Sequence, residues 1–253
     1  MNKQEFEEMK GEFALIIYNY EKFIKDCILI DYKYNSRFFD LLQKIRYYEV
    51  ENGLMARCIQ AHVEGKDTEV EKIVDDFEKG YKQELDSATK KHLIATRVND
   101  YNSKLDPEKV KEFEVYYVDF ISKHHPVVHA LASKEEQEVY EKLKVYYYEN
   151  NIDGFMKQFN DSLNTFKEVE YPEEMYSKIS QYYYDIRQRI GQDYAKKQQV
   201  YPFVKKDVFN DEMSIAYEEG ELKTHLNKLM ADNKKIHQDF IKAFGSDLVF
   251  DVA

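Results

Sequence analysis

Apolar residues recur three and four positions apart along nearly the whole chain, and strict alternation of apolar and polar residues is rare. This spacing is typical of amphipathic α-helices, because 3.6 residues per turn bring such positions onto one face. The 253 residues include only 8 Gly and 4 Pro, too few for the turns of an all-β chain. The sequence therefore predicts an all-α protein.

The first part of the chain predicts two helices with a link between them. The first helix covers about residues 5–26, and the second starts near Ser36. The link, residues 27–35, begins with an apolar run that fits either a last buried turn or a brief extended segment. The second helix carries a coiled-coil seam, with apolar spacings of four and three, and Asn52 lies in it. This Asn either fixes the register or faces solvent.

A long antiparallel hairpin is predicted around Gly65. Gly65 suits the left-handed position that closes a helix. The pattern Thr68-x-x-Glu71 resembles a capping box, which opens the next helix and carries it to about Asn102. Two long helices joined by so short a turn fold back on each other.

The rest of the chain predicts further helices, each with a local start or stop signal. Asp106-Pro107-Glu108 opens one that Pro126 ends, and Ser133-x-x-Glu136 caps the next. A short helix from Ile152 to about Lys167 follows. Later segments are a helix opened by Pro172, a turn at Tyr201-Pro202-Phe203, and a last long helix whose seam from Ile215 to Phe240 includes Glu219 and Asn233.

These segments predict three regions. Residues 1–104 form N-terminal helices with the long hairpin, residues 105–168 a central helical segment, and residues 169–253 a C-terminal helical hairpin packed with the N-terminal helices. Both seams, in the first and last regions, offer surfaces for self-association, and the sequence leaves the oligomeric state open.

Charge and composition exclude several classes of protein. The formal net charge is −11, which disfavours an extended nucleic-acid footprint, and no segment supplies about 20 consecutive apolar residues for a membrane span. We therefore expect neither nucleic acid nor membrane as a partner. The start of the sequence does not resemble a secretory signal, and two cysteines, Cys27 and Cys58, do not make a disulfide framework. We expect a cytoplasmic protein.

Motifs for catalysis are missing from the sequence. There is no glycine-rich phosphate loop, nucleophile elbow or HExxH, so we predict no catalytic or cofactor-binding residues, no cofactor and no enzyme activity. Three imidazoles, at His124, His125 and His129, lie close enough in sequence to bind a divalent metal. Pro126 interrupts their helix, however, and no metal site is predicted, although the sequence alone leaves this question open.

The same histidines carry a resemblance to the central hairpin of a J domain of the DnaJ type. The whole chain also resembles a group of Gram-positive bacterial proteins in which a helical hairpin precedes a reduced J-like segment and a coiled coil follows. That segment typically reads Tyr-Arg-Lys-Leu-x-Lys-x-Leu-His-Pro-Asp. The matching stretch here runs from Tyr117 to Val127 and keeps Tyr117, Phe120, Ile121, His125 and Pro126. Shorter matches are residues 59–65, 148–151 and 201–203.

The departures from this pattern are as informative as the matches. The family's basic positions are Val118, Asp119 and Ser122, and the signature Asp is Val127. J domains stimulate a DnaK-type ATPase through that Asp and a basic helix leading to it. The resemblance therefore implies a J-like hairpin in which His125-Pro126-Val127 is a structural corner and a possible contact surface, without the family's activity.

Three functions remain as predictions. The first is a non-enzymatic helical interaction or adaptor protein with an unknown protein partner. The second is a co-chaperone of a DnaK-type ATPase, and a basic face beside His125 would favour it. The third is an enzyme or small-ligand binder, and a deep pocket with convergent polar groups would favour it.

Overall fold

The computed structural model describes residues 1–167 and 170–245. Within these residues there is no β-strand, so the fold class is all-α as predicted. The described chain forms seven α-helices with short 3₁₀ turns between some of them. The helices are α1 (Lys3–Val63), α2 (Val70–Asn102), α3 (Pro107–His124), α4 (Lys134–Tyr148), α5 (Ile152–Asp161), α6 (Glu173–Lys197) and α7 (Glu212–Phe244).

Helix α1 is one continuous helix of 61 residues, where the sequence predicts two helices and a link. The predicted link, residues 27–35, contains no Gly or Pro to interrupt the backbone hydrogen bonds. The helix continues through this segment because its apolar side chains pack against neighbouring helices, and Cys27 and Tyr34 are both buried. An apolar run of this length is compatible with a buried helical turn or a strand, and packing decides between them.

The break between α1 and α2 lies where the sequence places it, but its geometry differs. Gly65 has the left-handed φ of 71° that glycine adopts without strain. The predicted capping box at Thr68 is replaced by a 3₁₀ turn over Asp67–Glu69, and α2 begins at Val70. Residues Thr68 and Glu71 are therefore on different elements, and the pairing that a capping box requires is not made.

The starts of α3 and α4 follow their sequence signals. Asp106 is the N-cap of α3 and accepts a hydrogen bond from the backbone N–H of Glu108. Ser133 and Glu136 form a reciprocal capping box at α4. Helix α5 ends at Asp161, earlier than the predicted Lys167, and a 3₁₀ turn over Leu163–Thr165 follows it.

The chain divides into two compact units, each made from two separated stretches. Unit 1 contains Met1–Tyr32 and Arg97–Lys206, and unit 2 contains Lys33–Thr96 and the described residues from Asp207 onward. This division differs from the predicted regions 1–104, 105–168 and 169–253, because two of its three boundaries fall inside α1 and α2 and the third falls in the 3₁₀ turn Phe203–Phe209 between α6 and α7. The units group residues that lie close together in space, whereas the predicted regions follow the breaks between helices.

Unit 1 is built around aromatic pairs. Phe6 stacks on Tyr176 and Phe13 on Tyr183, with ring centroids 4.3 and 4.1 Å apart, so the first half of α1 and α6 run in the same direction. Helices α3 and α4 run in opposite directions. Their rings pair through Tyr117 with Tyr147 and Phe120 with Tyr140.

Unit 2 contains the second part of α1 with α2 and α7. Phe39 stacks on His92 and Tyr47 contacts Tyr81, which shows that α1 and α2 run antiparallel in this unit. A small buried cluster joins α1 to α7 and is flanked by partly buried residues of α2. It comprises Leu54, Met55, Cys58 and Phe240. In the part of the chain that the structure describes, no helix is both long enough and apolar enough to cross a membrane.

Candidate functional site

The residues of the J-like turn lie together at one corner of unit 1. Tyr117, Phe120 and Ile121 form the buried face of α3. His125 is its C-cap, with an extended backbone (φ −67°, ψ 126°) and an N–H that donates to the carbonyl of Ile121. The following proline disfavours helical geometry at His125, which explains why α3 stops there. Pro126 and Val127 are half-buried, and the corner packs into the aromatic core.

His125 is buried, with 8% of its surface exposed, and both ring nitrogens have partners. Its Nδ1 accepts a hydrogen bond from the backbone N–H of Val127, 3.0 Å away. The proton of a neutral ring is therefore on Nε2, which lies 3.5 Å from Oε1 of Glu21 on α1. The imidazole therefore contacts the backbone of its own turn through Nδ1 and the carboxylate of Glu21 on α1 through Nε2.

Glu21 is the centre of a buried polar cluster, although the sequence did not single it out. Its Oε2 accepts hydrogen bonds from the hydroxyls of Tyr117 at 2.7 Å and Tyr140 at 2.8 Å, and these hydroxyls lie 3.3 Å from each other. Burial by itself raises the pKa of Glu21, but His125 and the two tyrosine hydroxyls outweigh it and lower the pKa. Glu21 is therefore a buried carboxylate.

A second buried cluster lies one helical turn further along α1. The ammonium of Lys25 is 2.6 Å from Oε1 of Glu114 and 2.8 Å from Oδ1 of Asn150. It also lies over the ring of Tyr147, 4.5 Å from the centroid. The other oxygen of Glu114 accepts hydrogen bonds from the hydroxyls of Tyr18 and Tyr147 at 2.8 and 2.9 Å.

The electrostatics of this pair follow from its burial. Burial lowers the pKa of Lys25, and the attraction of Glu114 offsets this only in part. For Glu114, burial raises the pKa, but the ammonium of Lys25 and the two hydroxyls lower it by more. Each charge is thus compensated by an opposite charge and by hydrogen bonds, which a buried ion pair requires.

Amide side chains close the end of this cluster. Asn150, which has a positive φ of 57°, donates through Nδ2 to Oδ1 of Asn102 at 2.7 Å. Asn102 in turn donates to the carbonyls of Val98 and Glu149. The Tyr-Glu-Asn-Asn segment that carries part of the family resemblance therefore anchors the end of α4 to α2.

The three histidines of the predicted turn have different surroundings. The ring of His124 lies among Phe120, Phe159 and Phe166, and burial is the main cause that lowers its pKa to about 4. Burial also lowers the pKa of His129, with a contribution from Lys10. Within residues 1–167 and 170–245, no three His, Cys, Asp or Glu side chains are grouped as metal ligands would be.

Sequence reasoning singled out the turn at His125-Pro126 but missed its polar partners on α1. A signal for them exists, because Ala14 and Ile17 are buried and positions 21 and 25 continue their face at helical spacing. A glutamate and a lysine four residues apart in such a stripe normally indicate a solvent-exposed pair. Side chains remote in sequence make burial of this pair favourable: Tyr117, Tyr140 and His125 for Glu21, and Glu114 and Asn150 for Lys25.

The constellation of Glu21, His125, Tyr117 and Tyr140 contains the group types of acid–base catalysis, but its side chains are sealed. Tyr117 has 0% and Tyr140 1% of their surfaces exposed, and Glu21 has 4%. Proton transfer needs a substrate atom within hydrogen-bond reach, and here the cluster's own groups occupy those positions. The arrangement fastens α1 to the α3–α4 hairpin. Comparisons with protein-family models, curated proteins and solved structures yield no match for this chain.

Proposed function

We propose that this protein is a non-enzymatic helical interaction or adaptor protein, and that α7 carries a surface for a protein partner. The observation that carries the proposal is a pair of exposed residues one turn apart. Met213 is 83% exposed and Tyr217 is 70% exposed. Positions i and i+4 of a helix share a face, so the two side chains present one apolar surface to solvent.

The chemistry of this pair fits a protein interface. Met and Tyr are both enriched in such interfaces, where Tyr combines a large apolar ring with a polar end. The pair is also separate from the packing of unit 2. The neighbouring Glu218 is buried and accepts a hydrogen bond from Tyr34 of α1 at 2.5 Å, so α7 is held on one side while Met213 and Tyr217 stay exposed.

A photo-crosslinking amino acid at position 217 tests the proposal in cells. We expect adducts with a protein partner or with a second copy of the chain, and we expect Met213→Ser to weaken them about tenfold, the effect of losing one interface anchor. The same crosslinker at Tyr184, which is 58% exposed on α6, is the matched control. Sedimentation of the isolated chain separates self-association from binding of another protein. Equal yields from positions 217 and 184, or no adducts from 217, would contradict the proposal.

The surroundings of His125 support the expectation that the J-like segment is a scaffold. Its imidazole is turned onto Glu21, and the exposed basic residues of α3 are paired, as in Lys123 with Asp119 at 2.8 Å. A partner would therefore meet little uncompensated positive charge beside the turn. We expect no stimulation of a DnaK-type ATPase from the same cell. Stimulation by the wild-type chain that is lost in a folded His125→Gln variant would favour the co-chaperone instead.

A further inference from the structure

Helix α7 carries an exposed seam on the side opposite to its buried residues Leu226 and Phe240. The exposed seam consists of nine positions spaced alternately four and three residues apart, which begin with Met213 and Tyr217 and end at Ile241. Positions with this spacing share one face of a helix. All nine residues are exposed. The helix therefore has a second coiled-coil spacing besides the one that packs within unit 2.

Charge is depleted along the exposed seam. Lys234 is the one charged residue among its nine, although 34% of the whole chain is charged. Of the ten other exposed residues of α7, seven are charged. Contact with water alone does not favour such a difference between two parts of one helix surface. Depletion of charged residues is typical of the centre of a protein–protein interface.

Charges beside the exposed seam change sign along the helix. Glu221 lies on one flank, and Lys228 lies two turns later on the same flank. Both are exposed, and within residues 1–167 and 170–245 neither makes an ion pair. The later lysines Lys235 and Lys242 are instead paired with aspartates of α7 itself. The helix dipole acts only on the first and last turns, so it does not explain charges in the middle of the helix.

A second copy of α7 in antiparallel orientation complements this pattern. We consider the register in which Thr224 of one copy lies opposite Asn227 of the other. Tyr217 then lies opposite Lys234 of the second copy, and an ammonium group against an aromatic ring is favourable. A parallel pair in register would bring the two copies of Lys234 together, which is unfavourable.

We infer that the exposed seam of α7 binds the same seam of a second copy of this chain in antiparallel orientation. The inference rests on the proposed function, because Met213 and Tyr217 begin the seam, and it names the partner. A contact with two-fold symmetry needs a surface that complements itself. In the register above, Glu221 of each copy lies beside Lys228 of the other, so the charges meet this requirement.

The size of the contact sets the expected affinity. Because α7 has 33 residues and is about 50 Å long, a strip about 10 Å wide on each copy would bury about 1,000 Å² in total. This area is at the low end of specific interfaces, so we expect reversible dimers with a dissociation constant in the micromolar range. The surface lies opposite to the predicted seam from Ile215 to Phe240, whose buried residues pack within the same chain.

Sedimentation equilibrium of the full chain tests the charge pattern. Glu221→Lys should weaken dimerisation about tenfold, because each dimer then brings two pairs of lysines together. Glu221→Lys/Lys228→Glu exchanges the two charges and should restore the wild-type affinity. Asp76→Lys, at an exposed position of α2, makes the same change in net charge as Glu221→Lys and should dimerise like wild type. Circular dichroism checks that each variant is folded.

Disulfide trapping tests the orientation. Met213 and Gln238 lie about 38 Å apart along one helix, so cysteines at these positions can form a bridge only between two copies. Met213→Cys/Gln238→Cys should give a covalent dimer on mild oxidation. The single variants Met213→Cys and Gln238→Cys should give little, and the native cysteines are both buried.

Three outcomes would overturn the inference. They are a chain that stays monomeric into the high micromolar range, a charge exchange that does not restore dimerisation, and covalent dimers that form as readily from a single cysteine variant as from the double variant. A monomeric chain whose crosslinks from position 217 reach only another protein would overturn the inference while the proposed function stands. Absence of adducts from position 217 would instead contradict the proposed function.

Discussion

Units 1 and 2 are both helical, but they hold their helices together by different means. Unit 1 buries charged groups inside an aromatic core, where Glu21 of α1 accepts a hydrogen bond from Tyr117 of α3 and Lys25 of α1 pairs with Glu114. Unit 2 has a cluster of four buried apolar residues, and its α1–α7 seam carries separate polar pairs, such as Tyr34 with the buried Glu218. The two units therefore differ in the contacts that determine which helix faces pack against each other.

The seam of unit 2 uses one pair of asparagines where unit 1 uses a network. Nδ2 of Asn233 donates to Oδ1 of Asn52 at 2.9 Å and to Glu51 at 2.7 Å. Asn52 donates in turn to the carbonyl of Leu229. The two asparagines that interrupt the two predicted seams therefore meet each other, and Asn52 is only 9% exposed. A polar pair of this kind favours one register, because a shift would bury both amides without partners.

Buried charge is a stricter specification than an apolar seam. Moving α1 by one turn against α3 and α4 would leave Glu21 and Lys25 uncompensated in the core, which is far more unfavourable than misplacing a methyl group. In unit 2 the asparagine pair and the buried hydrogen bond from Tyr34 to Glu218 favour one register, and the apolar contacts between them are less selective. The four predictions below test this contrast, from the largest expected effect to the smallest.

Removing the carboxylate of Glu21 should cause the largest loss. Glu21→Ala leaves the hydroxyls of Tyr117 and Tyr140 and the Nε2 proton of His125 buried without their acceptor, and we expect a loss of about 3–5 kcal/mol in the free energy of unfolding. Urea denaturation measures the loss, and hydrogen exchange should show lost protection in unit 1. Glu7→Ala, at an exposed position of the same helix, is the control and should change stability little. Similar values for both variants would contradict the assigned role of Glu21.

Acidification should destabilise the protein through His124 before the buried carboxylates titrate. The pKa of His124 is lowered to about 4 in the folded state, so between its ordinary value of 6.5 and pH 4 the unfolded chain binds the proton first. Stability should therefore fall as the pH drops through that window, by less than the full shift implies because His124 is only partly buried. His124→Phe keeps an aromatic ring among Phe159 and Phe166 and should flatten the fall, leaving the contribution of His129, whose pKa burial also lowers. An unchanged slope would show that His124 is not the group responsible.

The asparagine pair of unit 2 should have an intermediate effect. Asn52→Ala removes the acceptor for Asn233, and we expect a loss of about 1–2 kcal/mol. A double-mutant cycle with Asn233→Ala should give a coupling energy of about 1 kcal/mol, because the two side chains share a hydrogen bond. Additive losses would mean that the amides stabilise the seam independently.

A surface ion pair in unit 2 should matter least. Nε of Arg46 lies 2.9 Å from Oε2 of Glu84, and both side chains are about half exposed. Arg46→Ala should cost about 0.5 kcal/mol or less, because solvent screens the pair and the long side chains lose entropy in forming it. Thermal unfolding at low and high salt measures this. A loss comparable to that of Asn52→Ala would require a structural role beyond the ion pair.

Local signals in the sequence were sufficient for much of the fold. Three signals are visible in the sequence because each depends only on residues a few positions apart. They are the cap at Asp106, the capping box of Ser133 and Glu136, and the helix stop at Pro126. The same locality explains the failures. The continuity of α1 through residues 27–35 and the loss of a cap at Thr68 depend on what the neighbouring helices cover, and no pattern within one helix contains that information.

The sequence by itself determined that the protein is all-α and that the chain turns at His125-Pro126, since helical periodicity and the backbone of proline are properties of adjacent residues. Only the tertiary structure decided that Glu21 is buried and that Asn52 pairs with Asn233. A glutamate or an asparagine on a helix is stable in water or in a core, depending on partners that lie far away in sequence. Here those partners, Tyr117 and Tyr140 for Glu21, come from helices about a hundred residues further along the chain.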